Sequence, residues 1–140
     1  MKTRIAKLVL EIKDYQTNEK ALTEFVGELV SSDVSLKNII YRFFETDSGT
    51  LMVSIDYSSD VVTIQEKNDT VKLTLRLKLN EYQECIYHFD DNNYLRLSTK
   101  TNQIEVDGEN LILDYDLFNP QDLDHPITRN IVKINCEVNK

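Results

Sequence analysis

Val71–Leu79 reads V-K-L-T-L-R-L-K-L, with aliphatic residues at every odd position and Lys72, Thr74, Arg76 and Lys78 between them. A period of two over nine residues is the mark of a β-strand with one dry and one wet face, since successive side chains leave opposite sides of the pleat. The same alternation predicts strands over Arg4–Lys13, Leu51–Tyr57, Val61–Glu66, Glu84–Phe89, Tyr94–Thr101, Gln103–Val106, Asn110–Leu117 and Ile127–Val138. Ile39–Glu45 joins them as a compact β-branched and aromatic run. Turn residues punctuate the series at Asp47–Thr50, Ser58–Asp60, Lys67–Asp69 and Asp90–Asn93, with Asp107-Gly108 the strongest two-residue turn. Ala21–Val30 is ambiguous: Leu22, Phe25, Val26 and Leu29 fit helical spacing, whereas Gly27 interrupts the run.

Some ten short strands joined by tight turns predict an all-β domain spanning residues 1–140. The expected architecture is a single antiparallel, mostly up-and-down closed β-barrel of about 8–10 strands. Strands one and ten are both long and dry on one face, which suits pairing that removes the sheet edges. No internal repeat or linker divides the chain.

Leu95–Lys100, Ile104–Val106, Asn110–Leu117 and Arg129–Ile134 together resemble the YwiB-type family of small bacterial proteins of unknown function. The resemblance implies a calycin-like closed barrel and no established activity. Against the family's Tyr-x-Thr-x-x-Gly pattern, Tyr87 matches the tyrosine, Phe89 replaces the threonine and Asn92 replaces the glycine. Asn is the residue that best stands in for Gly at a left-handed turn. The resemblance also makes Gly27 the glycine of a family strand ending in T-G-x-Y, which tips the ambiguous Ala21–Val30 towards strand. There is no Trp, and hence none of the Gly-x-Trp of a true lipocalin.

Composition narrows the function classes. With 41% hydrophobic residues the chain can bury about two-thirds of its surface without metal or disulfide. A net charge of -8 disfavours nucleic acid and anionic membrane as partners. The first residues are broken by Lys7, Glu11 and Lys13, so neither a signal peptide nor a membrane span is expected, and a reducing cytoplasm suits the two cysteines.

Candidate chemistry is sparse. Cys85 and Cys136 sit on predicted interior faces, where a thiol stays protonated and inert. His88 falls on an outer face. Asp122, Asp124 and His125 share a loop that could hold a divalent metal, although open acidic loops are far more often only soluble turns. Asp114 and Asp116 lie about 7 Å apart by strand rise, a tolerable glycosidase spacing, but alternation turns both to solvent, where they balance outward cations. Three glycines leave no phosphate-cradling loop and no nucleophile elbow. Lys72, Arg76 and Lys78, extended by Arg96 and Lys100, make a basic stripe with only Tyr94 as a nearby outward aromatic.

No catalytic residue, metal site or cofactor is therefore expected. The sequence favours a non-catalytic protein-interaction or structural module working through its outer face, with a homodimer among the forms this allows. The alternative is a barrel that binds a small apolar or amphipathic ligand, with Tyr57, Tyr87 and Tyr115 at its mouth.

Overall fold

The computed structural model describes residues 4–33, 38–44, 50–56, 61–67, 72–90 and 92–137. Among them are ten strands and no helix: β1 (Arg4–Asp14), β2 (Lys20–Asp33), β3 (Asn38–Phe44), β4 (Thr50–Asp56), β5 (Val61–Lys67), β6 (Lys72–Lys78), β7 (Tyr82–His88), β8 (Tyr94–Asp107), β9 (Asn110–Phe118) and β10 (Thr128–Cys136). Every strand pairs antiparallel with its neighbour in sequence, and β1 pairs with β10 from Ala6↔Cys136 to Asp14↔Thr128. The sheet therefore curls round one apolar interior.

Alternation predicts the inner face well. Ala6 and Leu8 of β1, Leu75 and Leu77 of β6, Leu111 and Leu113 of β9, and Val132 and Ile134 of β10 are all buried in one core. One end of that core is plugged. Tyr41 is fully buried, and its hydroxyl donates to the Glu109 carbonyl in the β8–β9 turn at 2.7 Å.

The wall, expected as a closed barrel, is uneven between β6 and β7. Between β6 and β7 only Lys72, Leu73 and Thr74 pair with His88, Tyr87 and Ile86. The cause lies in the connecting turn. Asn80 adopts a φ of 61°, its N–H donates to the Thr101 carbonyl at 2.9 Å, and Leu79 bridges to Thr101. The end of β6 is thus drawn towards β8. The start of β7 is held elsewhere, where the Tyr82 ring packs edge-on against Phe118 with centroids 5.5 Å apart. The two strands part into a seam.

Local differences from expectation have similarly specific causes. Ala21–Val30 is strand, within the 14 residues of β2. Its helix-like spacing arises because Leu22 and Val26 point outward, Leu22 being 73% exposed, while Phe25 and Leu29 pack on the core. The predicted strands Tyr94–Thr101 and Gln103–Val106 are one, β8, which continues through a bulge between Thr101 and Gln103. A bulge adds one unpaired residue without ending the ladder. The turn after it is shifted by one, to Gly108-Glu109. Gly108 has a φ of +59°, the first-position geometry that a two-residue hairpin reserves for glycine. Between β7 and β8, the Asp90 carboxylate accepts from the N–H groups of Asn92 and Asn93, both at 2.8 Å. Val71 lies outside the described residues, and Leu79 has left the strand and is half-exposed.

Candidate functional site

Three cross-strand neighbours interrupt the apolar interior. Tyr115 of β9 pairs with Thr101 of β8 on one side and with Asn130 of β10 on the other. Directly opposed residues share a sheet face, so these form one polar row on the inner wall. All three are buried. Asn130 Oδ1 accepts from the Thr128 hydroxyl at 2.9 Å, which orients the amide. The Thr101 hydroxyl has no hydrogen-bond partner among the described residues, and neither does that of Thr99, two residues along the same strand. An unpaired buried hydroxyl costs about 1–3 kcal/mol.

Beside this row the core is hollow. A cavity of about 220 Å³ is bounded by Leu8, Leu10 and Ile12 of β1, Phe25 of β2, Ile64 of β5, Leu73 and Leu75 of β6, Leu97 of β8, and Val132 of β10, with Tyr115, Leu117 and Asn130 completing the wall. Its walls come from the half of the interior away from the Tyr41 plug. At the matching rim Tyr87 is half-buried, with its ring 5.9 Å from that of Phe89. Leu95, which pairs with Tyr87, is half-exposed although it has inward parity.

The three tyrosines singled out from the sequence therefore separate. Tyr115 lines the cavity. Tyr87 stands outside the lining, next to it through its pairing with Leu73. Tyr57 lies outside the described residues. Sequence reasoning missed Asn130 and Thr101. Their signal was present as polar residues at inward parity within apolar strands, but it showed only once register joined them to Tyr115.

The remaining candidates are placed as follows. Cys85 is buried and Cys136 half-buried, and burial pushes each thiol up to about 11. At pH 8 each would then be about a thousandth thiolate. Iodoacetamide at that pH is expected to leave both cysteines unmodified in the native protein and to alkylate both in urea, as read by intact mass. Rapid native alkylation of either would contradict the assigned burial.

His88 is exposed, its ring 6.0 Å from that of Tyr94. His125 Nδ1 lies 3.0 Å from Asp122 Oδ1, and this hydrogen bond raises the imidazole pKa above its ordinary value and lowers that of the carboxyl. The loop thus joins two of its three candidate ligands to each other. No group of three or more His, Cys, Asp or Glu side chains suited to a metal occurs among the described residues.

Asp114 corrects its expectation. It is buried, 7% exposed, and held by Arg129 in a two-pronged ion pair, Nη2 to Oδ2 at 2.6 Å and Nε to Oδ1 at 3.1 Å. The pair holds the guanidinium pKa well above its ordinary value, chiefly through the hydrogen bond. Asp116 accepts from the Tyr15 hydroxyl at 2.9 Å and from Asn102 Nδ2 at 3.1 Å. Both acids are committed to Arg129 of β10, Asn102 of β8 and Tyr15 just after β1 rather than to the cations of β6. No helix among the described residues is long and apolar enough to cross a membrane.

No family model matches the chain, and no curated protein does. A solved structure does: that of the ywiB protein from Bacillus subtilis superposes with a TM-score of 0.69, covering 97% of this chain and 92% of that one at 14% identity. At that identity the likeness is one of fold, and the fold of this chain is YwiB-like.

Proposed function

We propose that this protein is a non-catalytic binding module, a calycin-like barrel that takes one small amphipathic ligand into its interior. The cavity of about 220 Å³ carries the reading. An unfilled apolar void of that size forfeits on the order of 5 kcal/mol of packing, a cost that larger side chains at Leu10 or Val132 would remove in a purely structural domain. The volume falls short of the roughly 300 Å³ of pockets for drug-sized molecules. It exceeds the roughly 150 Å³ that accepts a benzene ring. The ligand is accordingly a single ring or a short branched chain. Asn130 and Tyr115 supply the polar side of the lining, so the ligand carries one hydroxyl or carbonyl. Tyr87 and Leu95 form the rim it passes. The cavity favours this reading over a partner-binding outer face as the main role.

Thermal unfolding and leucine-methyl NMR with phenols, short-chain alcohols and short-chain acids would test it. A matching ligand at a hundred times its Kd is expected to stabilise the fold by about 2.7 kcal/mol and to shift the methyls of Leu75 and Leu97. Leu97→Phe or Leu73→Phe, by filling the void, should abolish both effects while the protein stays folded. If no compound in the panel moves the unfolding temperature or those methyls, the reading is wrong.

A further inference from the structure

We infer that the outer face of β6–β8 binds single-stranded nucleic acid, at a site separate from the cavity. The chain is acidic overall, yet this face is not. Lys72 and Arg76 on β6, His88 on β7 and Arg96 on β8 point outward from adjacent strands, with Glu84 the acid among them. Four of the five arginines are ion-paired: Arg4 with Glu109, Arg42 with Glu28, Arg96 with Glu84 and Arg129 with Asp114. Arg76 is the exception, with no carboxylate within reach among the described residues, and Lys72 shares that condition.

Both open onto a groove. Where β6 and β7 part, a surface depression of about 350 Å³ is bounded by Lys72, Thr74, Arg76, Glu84, Ile86 and His88, with Cys85 beneath. Its upper wall is donor-rich: an ammonium, a guanidinium, an imidazole and a hydroxyl converge on space wide enough for a phosphate group. Charge complementarity therefore selects a polyanion.

The aromatics select which polyanion. Tyr94, 54% exposed, pairs across the ladder with His88 at the groove's edge, and the Arg96 guanidinium lies 6.0 Å from its ring centre. Tyr82, 45% exposed, lies further along the same face with the Lys100 ammonium 5.2 Å from its ring. Strand parity places one aromatic here, and the structure places two. Exposed rings beside cations on a sheet face are the elements of a single-strand platform, on which bases stack while phosphates meet the cations. An acidic peptide would use the cations and leave the rings idle.

Fluorescence anisotropy with labelled single-stranded oligothymidylate and oligoadenylate, titrated from low to physiological salt, tests the assignment. Contacts from Lys72, Arg76 and Arg96 predict that log K falls with log salt with a slope of about −2, and Arg76→Ala should flatten it by about 0.7. Tyr94→Ala is expected to weaken binding about tenfold or more at unchanged slope. Lys133→Ala, on the exposed outer face of β10, should leave binding unaltered. All three positions are on the surface, and circular dichroism of each variant verifies that the fold is kept. Absence of binding at low salt would overturn the inference. So would binding that survives both Arg76→Ala and Tyr94→Ala, or equal affinity for polyglutamate with no effect of Tyr94→Ala, which would make the partner an acidic peptide.

Discussion

Gly27→Ala is expected to destabilise the protein by about 3 kcal/mol or more, a large fraction of the roughly 5–15 kcal/mol that holds an ordinary domain folded. A Cβ built on Gly27 would lie 2.0 Å from the carbonyl oxygen of Arg42, 2.6 Å from Cα of Phe43 and 2.8 Å from the carbonyl carbon of Arg42. These are backbone atoms of the partner strand, and no rotamer change can move them aside. Relief would require β2 and β3 to separate at the very point where Gly27 pairs with Phe43, a fully buried core residue. Urea denaturation of the alanine variant measures the loss, and a midpoint close to wild type would show that the close approach of these strands is not needed. Gly108→Ala is the comparison: its Cβ meets nothing within 4 Å, and the cost there comes only from the positive φ.

The second large effect is expected at Arg129. Replacing it by valine leaves the Asp114 carboxylate buried without its counter-charge, at a cost of about 2–3 kcal/mol, below that of a fully enclosed pair because the guanidinium is half in solvent. Asp114→Val alone should cost less, since the arginine it strands can turn to water. The double variant should recover much of the Arg129→Val loss. Chemical denaturation of all three measures this, and additive losses would mean that the two side chains are not coupled.

These two residues mark the limits of what the chain reveals before it is folded. Strand identity was available from parity alone: Leu75, Leu77, Leu111, Leu113, Val132 and Ile134 are dry because period two puts them inside, whatever their neighbours are. Parity also assigned Asp114 to the outside. What it could not give was that β10 sets Arg129 beside it, with enough packing to bury the carboxylate. Gly27 argued against helix on propensity, while the steric need for it belongs to β3. The site followed the same rule. Tyr115 could be named in advance as inward, but Asn130 and Thr101 became its partners only through the registers of the β8–β9 and β9–β10 hairpins. Hairpin register depends on loop length and on bulges such as the one between Thr101 and Gln103, which parity along a single strand does not record.

The ladder between β1 and β10 has a kinetic consequence. Nine of the ten strand pairings join sequence neighbours through a turn and can zip up locally as hairpins. The tenth joins Ala6 to Cys136, some 130 residues apart, and the backbone bond from Glu137 N–H to the Ile5 carbonyl belongs to the same junction. Chain entropy makes that encounter the least probable of all until most of the sheet has already curled. Folding should therefore belong to the millisecond-to-second class of non-local β topologies. The edges of β1 and β10 would stay open until late, during which two such chains could pair with each other instead of with themselves.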